Sequence, residues 1–148
     1  MVRDRLGEVP VEAGHVEVEV MAVGVNFKDV AITMGIVPDN EYNIGFECAG
    51  VVTRLGLGVT KFKVGDRVCV LKQGAYANRV RVHVDRCHII PASMSYEDAA
   101  TIPSVYLCSL YALYHLANLQ EGQVKTNPSY KNFQIVATRK MIVEIVRC

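Results

Sequence analysis

Short apolar runs separated by turn residues dominate the first ninety positions of the chain. Residues 16–23 alternate valines with Glu17 and Glu19, which predicts a strand with one buried and one polar face. Such a strand is expected to pair antiparallel with a neighbour. Further short runs bounded by Gly, Asp and Asn predict strands at 46–55, 67–71, 75–84 and 87–90. This succession predicts a small barrel or sandwich.

The helical signals are fewer. Residues 26–34 predict a short helix, with Asp29 near its start and Gly35 as its C-terminal stop. Ser95 and Asp98 have the spacing of a capping box, and Pro103 is expected to break or kink the helix that begins there. Residues 105–117 predict a longer helix. Residues 99–120 lack Asp, Glu, Lys and Arg, but Pro, Ser, His and Asn interrupt them, which favours a buried helix over a membrane span.

The composition of the chain changes near residue 124. Five basic residues and one acid give the last 25 residues a charge of +4, which leaves −3 for the rest of the +1 chain. Residues 132–138 and 141–146 predict two strands around Arg139 and Lys140. We therefore divide the chain into a domain at 1–123 and a basic tail at 124–148 that adds one or two strands to the barrel.

Composition excludes several classes of protein. With 148 residues, 51% of them apolar, the chain has the length and apolar content of one globular domain. A net charge of +1 provides no basic field, so nucleic acid is not an expected partner. The N-terminus lacks the apolar segment of a secretory signal, which predicts a cytoplasmic protein. Five scattered cysteines without a C-x-x-C pair predict reduced, mostly buried thiols.

Five motifs together resemble a known family. They are VGVNFKDV at 23–30, IGFECAGVV at 44–52, FKVGDRV at 62–68, MSYEDAATIP at 94–103 and YLCSLYALY at 106–114. These segments resemble the medium-chain dehydrogenase/reductase superfamily, and within it the enoyl reductase domain of fungal highly reducing polyketide synthases. The resemblance covers residues 9–123.

The resemblance implies a fold and a cofactor. It implies a GroES-like β-barrel, mainly β (α+β), with one short and one longer helix. In the family, this half faces a Rossmann half that seats NADPH on a glycine-rich turn. Residues 124–130 do not continue into such a turn, and no G-x-G-x-x-G follows. The sequence therefore predicts a chain truncated before the Rossmann half, with no cofactor bound by the isolated chain.

The first motif supplies four candidate site residues. By resemblance, Asn26 and Phe27 line the pocket, where Asn26 bonds a ribose, a carbonyl or a neighbouring backbone group. Lys28 is a candidate for stabilising an enolate, and a solvated surface lysine is the alternative. Asp29 is a candidate catalytic residue, and the alternative is capping, because its position at a helix start is explained by the helix dipole alone.

The helix at 105–117 supplies two more candidates. The resemblance places Tyr106 and Cys108 beneath the nicotinamide, with Tyr106 as a proton donor or pocket wall. Family members often have Thr where Cys108 stands. Cys108 is a pocket residue or a nucleophile in one interpretation and an inert core thiol in the other.

Catalytic zinc is not expected. Glu47 stands where zinc-dependent members also have Glu, but Phe46 replaces their preceding His ligand, and no Cys lies in the first motif. His83, His88 and His115 have no metal-like spacing. Glu47 is therefore interpreted as a buried, paired acid that holds the barrel together.

Three functions stay open. The first is a truncated relative of an NADPH-dependent polyketide enoyl reductase, acting on a small or carrier-bound polyketide-like substrate. The second is a cofactor-independent isomerase, cyclase or lyase on a polyketide intermediate, with Asn26, Lys28, Asp29 and Tyr106 as its candidates. The third is a non-catalytic binding or pseudoenzyme module. An exposed former domain interface would also promote a homodimer, and no membrane partner is expected.

Overall fold

The computed structural model describes residues 9–37 and 44–120, together with the backbone of 124–126 and 134–136. The chain divides into two compact units, residues 1–104 and 105–148. Each unit is described by itself.

A curled, five-stranded antiparallel sheet forms the frame of the first unit. In sheet order β4-β1-β2-β3-β5, every neighbouring pair is antiparallel. This sheet forms a half-barrel, and the fold is of the mainly β (α+β) class that the sequence predicts. The strands are β1 (His15–Val23), β2 (Glu47–Leu55), β3 (Arg67–Leu71), β4 (Arg79–His83) and β5 (Cys87–Ile89). All five predicted strands are present; the one predicted over 75–84 is confined to β4, and a 3₁₀ turn at Val84–Arg86 follows it.

Two apolar clusters cover the two faces of this sheet. The larger cluster takes valines from β1 to β4, with Cys48, Cys87 and Phe62. The smaller one packs Ala99 and Ala100 against Ala49, Cys69 and Ile90 on the opposite face. Because β2 is buried on both faces at its start, residues 47–50 cannot follow a simple alternation of apolar and polar positions.

Glu17 departs from the predicted alternation. The pattern placed it on the polar face of β1, but its side chain is only 1% exposed. Arg81, its register partner on β4, covers it and donates from Nε and Nη2 to Oε2 at 3.0 and 2.9 Å. The same guanidinium donates to the carbonyl oxygens of Val9 and Pro10. The cross-strand cation thus makes burial of the acid tolerable and ties residues 9–10 to the sheet.

Two short helices of the first unit begin and end as their sequence predicts. Helix α1 (Phe27–Thr33) follows Asn26 and ends before Gly35, whose φ of +69° and N–H bond to Ile32 form a C-terminal cap. Helix α2 (Tyr96–Ala100) begins at Ser95, whose hydroxyl accepts the N–H of Asp98 at 3.0 Å. Residues 101 and 102 separate α2 from the next helix, of which Pro103 is the first residue.

The longer helix is present, but its predicted burial is wrong. Helix α3 (Pro103–Leu110) continues as a π-helical segment, Tyr111–Leu116, and neither contains a buried residue. Leu107, Tyr111 and Leu116 are all more than half exposed. The lack of charged residues shows that the helix is apolar. Burial also requires another element that packs against the helix. No helix among the described residues is long and apolar enough to cross a membrane.

The tail contributes one short antiparallel pair, β6 (Val124–Thr126) with β7 (Gln134–Val136). The strand predicted over 132–138 is thus present at 134–136. The strand predicted over 141–146 and its turn at Arg139 and Lys140 lie outside the described residues. The addition of tail strands to the barrel stays a prediction.

Arg81→Met is expected to lower the free energy of unfolding by about 3 kcal/mol, because it leaves the Glu17 carboxylate buried without its main partner. Arg79→Met is the matched control. Arg79 lies two residues away on β4 and faces the exposed Glu19, so its loss is expected to cost about 0.5 kcal/mol or less. Urea denaturation of both variants measures the difference. Equal losses would contradict the assignment of Arg81 as the partner of Glu17.

Candidate binding site around Asn26

The residues of the first motif lie where β1 ends and α1 begins. Asn26 is the residue before α1, in extended conformation, and its backbone N–H donates to Asp29 Oδ2 at 2.8 Å. Its carbonyl accepts the N–H of Asp29 at 2.9 Å. Both backbone polar groups of Asn26 are therefore engaged at the start of α1.

Asp29 is a structural acid by its contacts. Its side chain is 4% exposed and accepts three donors: the N–H of Asn26, the N–H of Gly45 at 2.9 Å and the hydroxyl of Tyr76 at 3.2 Å. These bonds join the start of α1 to residues 45 and 76, which are distant in sequence. These hydrogen bonds match the capping alternative. Asp29 could act as an acid or a base only if one of these hydrogen bonds broke.

The surroundings of Tyr76 favour its protonated form. Burial raises the pKa of Tyr76, and the charge of Asp29 with its hydrogen bond raises it further. A tyrosinate at this position would face a carboxylate across 3.2 Å. The protonated phenol is therefore the form that suits the fold.

Glu47 lies beside Asn26 at the start of β2 and is 2% exposed. Its Oε1 accepts Asn26 Nδ2 at 2.9 Å, and its Oε2 accepts the N–H of Ser104 at 2.7 Å. The predicted buried acid is thus present, with amide N–H groups as the partners of its two oxygens. A Cβ at Gly24 would lie 2.5 Å from Glu47 Cγ, so only glycine lets the end of β1 approach this carboxylate.

Phe27 and Lys28 are both on the surface. The Phe27 ring is 82% exposed. The Lys28 ammonium is 4.3 Å from the centre of the Phe46 ring, a cation–π contact that holds it against the protein. We use the name apolar surface for the exposed apolar side chains of β1, α1 and the residues next to them in sequence: Met21, Val23, Val25, Phe27, Val30, Met34 and Ile36.

Tyr106 and Cys108 belong to the second unit, and both are exposed on α3. Two positions along a helix correspond to a rotation of about 200°, so they lie on opposite sides and only one can face a given pocket. The interpretation of Cys108 as a core thiol is wrong, because a position in an uncharged helix does not guarantee burial. The roles of both residues, and the homodimer, stay predictions.

The three described cysteines of the sheet are buried and free. Burial raises the pKa of Cys48 and Cys87 to about 12, and that of Cys69 is raised too. At neutral pH these thiols are protonated in both the folded and the unfolded chain, and above about pH 9 only the unfolded thiols ionise. The free energy of unfolding therefore falls as the pH rises from about 9 towards 12. No group of three His, Cys, Asp or Glu side chains in the described segments could hold a metal ion.

Sequence reasoning missed four residues that shape this site. Tyr76, Gly45 and Ser104 act through contacts across 47, 16 and 57 residues, for which no local pattern exists. Gly24 could have been found from the sequence, because a glycine next to a strand rich in valine often marks a place where another group packs closely against the backbone. None of the four was a candidate.

Comparison with known proteins adds an independent observation. Residues 12–92 match the family described as "Alcohol dehydrogenase GroES-like domain". A highly reducing polyketide synthase of Eupenicillium brefeldianum is 48% identical over 118 residues, which are 78% of this chain and 5% of that protein. The chain therefore spans about one twentieth of this curated relative.

Many solved structures are similar to this chain, and two of them serve as examples. The CurK enoyl reductase is 34% identical with a TM-score of 0.66, over 83% of this chain and 39% of that one. Escherichia coli quinone oxidoreductase, solved in complex with NADPH, is 30% identical with a TM-score of 0.63, over 78% of this chain and 36% of that one.

Asp29→Asn is expected to lower the pKa of Tyr76, because the tyrosinate then no longer faces a negative charge. The fall should be incomplete, since the burial that also raises the pKa remains. A ¹³C NMR titration of the Tyr76 ring, assigned with Tyr76→Phe, measures it. Asp66→Asn is the control, because Asp66 accepts the N–H of Lys63 in a separate turn. An unchanged pKa in folded Asp29→Asn would refute the contact.

Proposed function

The chain belongs to the alcohol dehydrogenase GroES-like domain family, and from this premise we propose that it is the substrate-side part of an NADPH-dependent polyketide enoyl reductase. In this proposal it binds an α,β-unsaturated thioester, free or attached to a carrier, and binds NADPH weakly when tested alone. Similarity to a polyketide synthase and to an enoyl reductase supports the proposal. The three buried free thiols suit a reducing compartment such as the cytoplasm.

The observation that carries the proposal is the position of Asn26 beside the apolar surface. Its neighbours Val25 and Phe27 are 75% and 82% exposed, while Asn26 itself is half-buried and held by Glu47. A fixed polar group next to exposed apolar side chains suits a ligand with a polar head and a hydrocarbon chain. An enoyl thioester has both parts.

The reaction needs two groups besides the substrate contacts. Reduction adds a hydride to the β-carbon and a proton to the α-carbon, while negative charge builds on the thioester oxygen between these steps. NADPH, when bound, supplies the hydride. Lys28 is proposed to stabilise the charged oxygen, and Tyr106 to deliver the proton. The cation–π contact with Phe46 supports the first role by confining the ammonium.

Weak affinity for NADPH is proposed from the residues present. The family's pyrophosphate turn needs glycines at fixed spacing, and residues 123–148 contain none. The described residues around Asn26 fit contact with the reacting end of a substrate.

Calorimetric titration with hexenoyl-N-acetylcysteamine thioester and with NADPH tests the proposal. We expect the thioester to bind and NADPH to bind with a Kd of ~1 mM or weaker. A micromolar Kd for NADPH would overturn the weak-affinity part, and absence of thioester binding would overturn the substrate-side part. Mass spectrometry of the same mixtures detects conversion without cofactor, which would instead establish an isomerase, cyclase or lyase.

Phe27→Ser tests whether the apolar surface takes the acyl chain. Removing this exposed ring is expected to weaken thioester binding about 3- to 10-fold, with little effect on stability. Leu57→Ser is the matched control, because Leu57 is 84% exposed in a turn outside the apolar surface. An equal effect of both substitutions would show that the thioester does not use Phe27.

A further inference from the structure

A cavity of about 460 Å³ lies where the start of β1, the end of β4 and the residue after β3 meet. We call it the basic cavity, because five of the seven described residues that line it have basic side chains: His15, Lys72, Arg81, His83 and Arg86. It shares no lining residue with the site around Asn26. Its volume is within the range of cavities that hold small ligands.

The sheet topology brings these basic residues together from separate places in the sequence. His15 is the register partner of His83, and the two imidazole rings meet edge to face with 5.2 Å between their centres. Strand β3 ends where the antiparallel β5 begins, so Lys72, just after β3, and Arg86, just before β5, lie at the same end of this pair. The cavity is thus a product of the fold and of no local motif.

The positive charge of the basic cavity is only partly balanced by acids. Arg81 is paired with the buried Glu17. The other two permanent cations, Lys72 and Arg86, take part in none of the ion pairs that the described part of the chain contains. Asp85 is the one acid among the described lining residues. A surplus of positive charge therefore faces the cavity.

These groups suit a ligand that contains a phosphate. Phosphate oxygens accept hydrogen bonds from ammonium, guanidinium and imidazole N–H groups, and such charge-assisted bonds are stronger than neutral ones. An apolar ligand would gain little, because Val82 is the one apolar residue among the described lining residues. Residues 1–123 have a net charge of −3, so a positive cavity in this part of the chain does not follow from its general composition.

We propose that the basic cavity binds a phosphate group, with Lys72 and Arg86 as its cationic contacts. The two imidazoles add N–H donors. Inorganic phosphate and the phosphate of a small ester, such as a sugar phosphate, share this chemistry. The inference goes beyond the proposed function and does not rest on it.

Titration of the chain at low ionic strength with inorganic phosphate, ribose 5-phosphate and ribose tests the proposal, because salt screens exposed cations. NMR shifts of backbone amides locate the binding. We expect both phosphate compounds to shift the amides of Asp85 and Arg86 with a Kd of ~1 mM or tighter, and ribose to leave them unchanged. Absence of these shifts, or equal shifts at the amides of Lys28 and Asp29 in α1, would overturn the proposal.

The two phosphate compounds also distinguish the source of the phosphate. A tighter Kd for ribose 5-phosphate than for inorganic phosphate would support an ester as the ligand. An ester that binds no more tightly than the free ion would support inorganic phosphate.

Lys72→Gln and Arg86→Gln each remove one cation and are expected to weaken phosphate binding about 5- to 10-fold. Lys63→Gln is the matched control, because Lys63 is an exposed lysine in the turn closed by Asp66, outside the basic cavity. It is expected to change the Kd less than about twofold. Equal effects of the three substitutions would indicate general attraction to the charge of the chain and would overturn the site.

Asp85→Asn is expected to have the opposite effect and to tighten the binding of inorganic phosphate about 2- to 3-fold, because it removes a like charge from the cavity. Glu97→Gln, which neutralises an exposed acid of α2, is the control and is expected to leave the Kd unchanged. Weaker binding by Asp85→Asn would contradict the proposal. None of the substituted side chains is buried, so the variants are expected to keep the fold, which their amide spectra check.

Discussion

The candidate site depends on one constraint, which is that a carboxylate buried at the start of β2 must find hydrogen-bond donors. Glu47 finds them in the Asn26 amide and the Ser104 N–H. An unsatisfied buried carboxylate would cost several kcal/mol, so these donors are held in place as firmly as the acid itself. This arrangement requires glycine at position 24, because any side chain there would collide with Glu47. The orientation of Asn26 is therefore a consequence of how the fold satisfies a charge.

Among the residues of the first unit that the structure describes, three acids are buried, and each bonds a different set of donors. Glu17 uses the guanidinium of Arg81, Asp29 uses two backbone N–H groups and the Tyr76 hydroxyl, and Glu47 uses amides. Each solution joins segments that are far apart in sequence. Only the solution at Glu47 fixes a side chain, that of Asn26, which borders the apolar surface. Structural and functional demands on the first motif are thus met by the same few hydrogen bonds.

Local patterns predicted the elements of the fold well, because alternation, capping residues and glycine stops act over a few residues. The strands β1 to β5, the cap at Ser95 and the stop at Gly35 are examples. Burial was predicted less well. Glu17 is buried because an arginine on another strand covers it, and α3 is exposed although its sequence is uncharged. Both outcomes depend on what packs against an element, which no periodicity contains. For the same reason, the five motifs identified Asn26 but not the Ser104 and Tyr76 contacts around it.

The similarity in structure to the CurK enoyl reductase covers 39% of that chain. If the Glu47 carboxylate organises the site, the hydrogen bond from Ser104 must persist in solution. Ser104 is the second residue of α3, where a backbone N–H has no partner within its own helix. Amide hydrogen exchange at Ser104 is therefore the most direct test. Protection comparable to the amides of β1 and β2 is predicted, whereas exchange as fast as that of an exposed amide would contradict the account.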